Sequence, residues 1–128
     1  MHGDQYLTKP AQYALVYSKG NSLASQWLVM KTIDNSLPLS RYGFSVSRKV
    51  GNAVVRNRVK RWLREILRVM PLKAGHDIVF IVRPATASTD YWNLKKAVEN
   101  LLSRAHLVGI NDEPEIFSQA KAAGEPGN

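Results

Sequence analysis

The stretch from Ala53 to Met70 constrains the fold more than any other part of the chain. It runs for eighteen residues without glycine or proline and stops at Pro71. Val55, Val59, Trp62, Leu63, Ile66 and Met70 stand 4, 7, 8, 11 and 15 residues from the first of them. At about 100° per residue they fall on one stripe of an α-helix. Asn57, Arg61, Arg64 and Arg68 stack along the opposite side, with Arg56 and Lys60 flanking them on one edge and Arg58 on the other. A helix divided in this way must lay one face on a core and turn the other outward. Asn52 is placed to cap its first turn.

The remaining segments supply that core. Lys9 to Lys19 reads as a first helix, with Pro10 in its opening turn, Gly20 after its end, and Tyr13 and Tyr17 on one face. Ser25 to Asp34 contains a strand-like apolar run, followed by turn residues Asp34-Asn35-Ser36 and Pro38. From Arg41 to Ser47 the residues alternate, Tyr42, Phe44 and Val46 facing one way and Gly43, Ser45 and Ser47 the other. Asp77 to Val82 is nearly all apolar and β-branched, as in a central strand buried on both sides. Asp90 caps a third helix whose inner face is Leu94, Ala97, Val98, Leu101 and Ala105. This order of helix, strands, helix, strand, helix predicts a mixed sheet with helices packed against it, an α+β or α/β layer arrangement. Residues 1–109 form one domain on this reading. Residues 110–128, rich in acids, glycine, proline and small side chains, read as a disordered tail.

Charge narrows the function. Arg41 to Arg68 holds nine of the eighteen basic residues and one acid, Glu65, so it nets +8, the formal charge of the whole chain. Ordinary helix surfaces mix signs, because opposite charges at i,i+4 stabilise and like charges repel. A run of arginines with one acid among them points to an anionic partner, and the planar, always-charged guanidinium suits phosphate. Nucleic-acid contact is therefore expected along Asn57, Arg61, Arg64 and Arg68, and at Arg48 and Lys49 beside the helix start. The absence of cysteine excludes disulfides and thiol chemistry, and His2, His76 and His106 show no metal-ligand spacing. Gly51 to Arg58 lacks the Gly-Lys-Ser/Thr ending of a phosphate loop. No nucleophile–base set or carboxylate cluster is evident, so no protein catalytic residue is expected. No apolar run approaches a membrane span and no signal peptide is legible, which predicts a cytoplasmic protein with no membrane partner.

Gly43-Phe44-Ser45-Val46-Ser47-Arg48-Lys49-Val50-Gly51-Asn52-Ala53-Val54-Val55-Arg56-Asn57-Arg58-Val59-Lys60-Arg61 closely resembles the signature of the bacterial ribonuclease P protein subunit, with its Arg-Asn-Arg core at Arg56-Asn57-Arg58. The likeness extends to Tyr13 through Gly20, to Asp77 through Pro84, and to the helix from Tyr91, covering residues from about 7 to 108. The resemblance implies an α+β fold, a compact α/β sandwich like that of a ribosomal-protein domain, with a mixed sheet of three to four strands and three helices in the order αβββαβα and a left-handed βαβ crossover around the Arg-Asn-Arg helix. It also implies a role in removing the 5′ leader of precursor tRNA, with chemistry carried by a catalytic RNA subunit and its Mg²⁺ and no organic cofactor. Ribonuclease P RNA and precursor tRNA would be the partners, with no obligate protein partner. The RNA-facing motif falls on Arg48, Lys49, Arg56, Asn57, Arg58, Lys60, Arg61 and Arg64, and Arg68 continues that face. Asn57 is a candidate for outer-sphere contact with metal-bound water. A cleft for the single-stranded leader would be lined by Tyr13 and Tyr17, by Lys31 where the family often has an aromatic residue, and by Phe44 or Tyr42 from the sheet. A non-catalytic RNA-binding module remains the alternative. A helix–turn–helix DNA binder fits less well, because Tyr42 to Ser47 reads as strand where that motif needs a helix.

Overall fold

The structure, a computed structural model, describes residues 6–108. The tail assigned to 110–128 lies outside the described residues. The chain forms α1 (Pro10–Lys19), β1 (Asn21–Ala24), β2 (Leu28–Asp34), β3 (Arg41–Ser45), α2 (Ala53–Arg68), β4 (His76–Val82) and α3 (Tyr91–Arg104), with a 3₁₀ turn at Pro84–Ser88. The α+β expectation and its element order hold. The short β1 escaped the sequence, since Asn21-Ser22-Leu23-Ala24 lacks an apolar alternation.

The sheet runs β1-β2-β4-β3. β1 pairs antiparallel with β2 and β2 with β4, whereas β3 and β4 are parallel neighbours joined through α2. Residues directly opposite each other share a face, so the register divides the sheet cleanly. Leu28, Met30, Ile78, Phe80 and Val82 face one way, into the main core with Val59, Leu63, Ile66 and Leu67 of α2 and Leu94, Val98, Leu101 and Leu102 of α3. Val79 and Ile81 face the other way, onto Val16 of α1, with Leu7, Tyr13 and Ile33 around them. β4 is thus apolar from Ile78 to Val82 because it has a helix layer on each side. Leu67, only 2% exposed, belongs to the α2 core face and widens the stripe inferred from sequence.

Local chemistry sets the element ends. Asn52 Oδ1 accepts a hydrogen bond from the Val55 N–H at 3.0 Å and caps α2. Asp90 Oδ1 does the same for Asn93 N–H at 2.8 Å in α3. At α1 the Gln12 side chain reaches back, its Oε1 accepting from the N–H groups of Thr8 and Lys9.

At the entrance to β4 a polar network crosses from strand to strand. The Arg41 guanidinium donates through Nε to Asp77 Oδ1 at 2.9 Å and through Nη2 to Oδ2 at 2.7 Å, and Asn35 Nδ2 donates to Oδ1 at 2.8 Å. Burial pushes the Asp77 carboxyl upward, but the hydrogen bonds from Arg41 and Asn35 and the guanidinium charge together hold it below its usual range. Arg41 is therefore committed to the fold and leaves the pool of cations open to a partner.

Candidate nucleic-acid interface

β3 ends at Ser45, two residues before the alternation ran out, and the chain turns through Ser47 to Val50 into α2. Val50 N–H donates to Ser47 O and Gly51 N–H to Arg48 O, which closes the turn and seats Val50 in the core. Arg48 and Lys49 are left exposed at the start of α2. The segment before α2 is strand and turn, which removes the helix–turn–helix reading.

Along α2, Asn57, Arg61, Arg64 and Arg68 are all exposed and lie opposite the buried Val59, Leu63, Ile66 and Leu67. Arg56, Arg58 and Lys60 are half-buried on the shoulders of this face. Arg56 Nε donates to Gly51 O at 3.1 Å and ties the first turn of the helix to the loop before it. Arg58 lies over the Trp62 ring, its Cζ 5.3 Å from the centroid. Among the described residues, none of the α2 cations stands within ion-pair distance of a carboxylate, Glu65 included. Their charge is uncompensated on the surface and available to phosphate.

The N-terminal segment completes this face, which the sequence reading missed. Leu7 N–H donates to Tyr42 O at 2.9 Å, so the segment lies along the free edge of β3. This brings Tyr6 beside Arg61, Arg64, Glu65 and Arg68 around a shallow hollow of about 160 Å³. Tyr6 also meets Tyr42 edge-on at 5.0 Å between ring centroids. The Tyr42 phenol is held well above its usual range, by burial first and then by its hydrogen bond with Tyr6. No motif marked Tyr6, whose partner Tyr42 stands 36 residues away in the sequence.

Of the residues expected to line a cleft, three lie on the opposite side of the sheet and two do not. Tyr13, Tyr17 and Lys31 lie on the α1 side, Lys31 being paired with Val79 in the β2–β4 register. Phe44 does not join them: it pairs with Phe80, packs 6.4 Å from that ring, and points to the α2–α3 side. Tyr42 is buried at 3% exposure on that same side and lines no cleft. The alternation in β3 was read correctly, but period two does not say which face α1 covers.

Tyr13 and Tyr17 also separate in role. Tyr13 is half-buried, its hydroxyl donating to Leu7 O at 3.4 Å, while burial and then the neighbouring Tyr17 raise its phenol above the usual range. Its ring occupies the space where a side chain on Gly43 would stand, and any Cβ there would overlap the Tyr13 phenol. Tyr13 thus pins α1 to β3, and Tyr17, its ring centroid 6.4 Å from that of Tyr13, is 40% exposed. Gly43→Ala is expected to expel Tyr13 and cost about 1–3 kcal/mol, the usual penalty for overpacking. A urea melt of the variant unchanged from wild type would refute that account.

An α+β domain that turns an unpaired arginine face outward from one side of its sheet, with tyrosines on the other, has the electrostatic footprint of a nucleic-acid-binding protein. Comparison with known proteins makes this specific. The ribonuclease P family profile matches residues 1–106. The chain is 45% identical over 111 residues to the ribonuclease P protein component of Dehalococcoides mccartyi strain CBDB1, covering 87% of this chain and 92% of that one. Its fold is similar to the RNase P protein of Staphylococcus aureus, with a TM-score of 0.76 at 32% identity over 81% of this chain and 97% of that one. It is also similar to the RNase P protein of Thermotoga maritima, with a TM-score of 0.67 at 36% identity over 72% of this chain and 89% of that one. The chain belongs to the ribonuclease P protein family. As a component of that enzyme it serves tRNA processing in association with ribonuclease P RNA.

Proposed function

We propose that the chain grips the RNA subunit through the α2 face and holds the 5′ leader of precursor tRNA against α1, while the RNA subunit performs the cleavage. The observation that carries this reading is the set of exposed, unpaired cations on α2, Arg61, Arg64 and Arg68, with Arg48 and Lys49 continuing it past the helix start. Across the sheet Tyr17 offers a ring to an unpaired base and Lys31 a charge to its phosphate. The two RNAs would then approach opposite sides of one domain.

A divalent cation fits this chain only indirectly. Among the described residues no three His, Asp or Glu side chains gather as ligands. Asn57 fits an outer-sphere role, since its exposed amide can accept from metal-bound water and donate to phosphate. On this reading the Mg²⁺ that assists hydrolysis takes its direct ligands from RNA. No helix among the described residues is long and apolar enough to cross a membrane, and we place the protein in the cytoplasm, where its RNA partners are made.

Addition of the protein to a bacterial ribonuclease P RNA and precursor tRNA at limiting Mg²⁺ is expected to stimulate 5′ cleavage, and more for a substrate with a leader than for one without. Tyr17→Leu should shrink that leader preference and leave the affinity for the RNA subunit intact. RNA binding without stimulation would leave a plain RNA-binding module in place of the enzyme subunit.

A further inference from the structure

Where α2 meets the start of α3, a chain of aromatic rings lies beside the arginine face but outside it. Trp62 meets Tyr91 edge-on, with centroids 6.3 Å apart and an interplanar angle of 80°. Tyr91 in turn meets Trp92 at 5.1 Å and 86°. Trp62 and Tyr91 are half-buried, whereas Trp92 is 64% exposed. Cations sit over both ends of the series: Arg58 Cζ is 5.3 Å from the Trp62 centroid and Lys95 Nζ is 5.5 Å from that of Trp92.

A single exposed apolar side chain needs no explanation. This one differs in its surroundings. The Trp92 indole is braced by a ring that is itself braced by another, so its position is fixed without being covered. Lys95 beside it, and Arg58 at the far end, make the rim positive. Asp90, the acid nearest in sequence, is occupied in capping α3 through the Asn93 N–H. The Nε of Arg58 is enclosed and has no acceptor within the described chain. A rigid aromatic face with cations at its edges matches a nucleobase and its flanking phosphates, because every base presents a π-face and every link to the next carries a negative charge.

The placement selects which RNA. α3 packs on the same side of the sheet as α2, and α1 lies on the other. Trp92 connects to the α2 shoulder through Tyr91, Trp62 and Arg58, so a partner on the α2 arginines approaches from its side of the sheet and a strand held against Tyr17 does not. We propose that Trp92, supported by Tyr91 and Trp62 and flanked by Lys95 and Arg58, is a stacking platform for one unpaired base of the ribonuclease P RNA subunit, a second contact continuous with the α2 face. This rests on the reading of α2 as the grip on that RNA.

The test is equilibrium binding of the full chain to ribonuclease P RNA over a salt series, for wild type, Trp92→Ala, Trp92→Phe and, as a reference for the grip itself, Arg61→Ala. Trp92→Ala should bind about tenfold more weakly, on the scale of one base–aromatic stack. Its salt slope should match wild type, because an indole releases no counterions. Trp92→Phe should stay within about twofold of wild type, since a ring of any kind can stack. Unchanged affinity in Trp92→Ala beside a loss in Arg61→Ala would overturn the platform and leave the grip standing. Equal losses in the Ala and Phe variants would overturn stacking, as would a free protein that sediments as a dimer and becomes a monomer on Trp92→Ala. Failure of the wild type to bind the RNA would remove the grip, and the platform with it.

Discussion

Replacement of Arg61, Arg64 and Arg68 together by alanine is expected to weaken binding to ribonuclease P RNA about 100-fold at moderate salt and to flatten its salt dependence. Each guanidinium that neutralises a phosphate releases condensed counterions, and each contributes about 0.7 to 0.9 to the slope of log affinity against log salt. Loss of three such contacts should lower the slope by about 2 to 3. The fold should not suffer. All three side chains are exposed and none is paired with an acid among the described residues. Alanine is the best helix former, and its introduction removes like-charge repulsion at i,i+3 and i,i+4 spacing, worth about 0.2–0.5 kcal/mol per pair. Weaker binding with equal or higher thermal stability is the expected signature. An unchanged slope would show that the phosphates lie elsewhere.

Asp77→Asn is expected to give the largest loss of stability of any single polar substitution in the domain. Breaking one side of a buried ion pair costs about 3–5 kcal/mol, because the remaining charge loses its partner. Arg41 retains 23% side-chain exposure and Asp77 4%, so water relieves the guanidinium in part and about 3 kcal/mol is the fitting figure. That is a large share of the about 5–15 kcal/mol that holds a domain together. The pH dependence follows from the direction of the shift. The folded-state pKa of Asp77 is depressed below its ordinary value of 3.8, so its contribution is fully present above that value and disappears as pH falls through the folded pKa. The gap between wild type and variant in urea melts should be widest near neutrality and close at low pH. A gap that stays constant with pH would mean that charge pairing is not the cause.

The helix that carries the basic face was legible in the sequence almost residue for residue, because its signals are local. Asn52 supplies the cap, Pro71 the stop, and the 3.6-residue period separates Val59 and Leu63 from Arg61 and Arg64. What stayed hidden depends on which layer covers which side. Tyr42 and Phe44 shared a face as the alternation required, but that face looks onto α2 and α3 rather than α1. Tyr13 and Tyr17 share a helix face, but only the Gly43 notch reveals that one is anchored and the other free. Asp77 read as the start of a strand; its partner Arg41 stands 36 residues away, beyond any local pattern. The platform at Trp92 was equally out of reach, since Trp62 and Tyr91 meet only across the junction of two helices.

β4 presents an uncommon difficulty for a folding chain. From Ile78 to Val82 every side chain is a hydrocarbon, so a slip of one position would exchange the occupants of the two interiors without exposing anything charged. Greasiness by itself does not tell this strand where to stop sliding. Asp77 acts as the detent: with both its oxygens engaged by Arg41 and one by Asn35, only one alignment brings all three groups together. A single carboxylate at the mouth of the strand thereby sets the phase of everything downstream, and with it the offset between the arginine face on one side of the sheet and the tyrosines on the other.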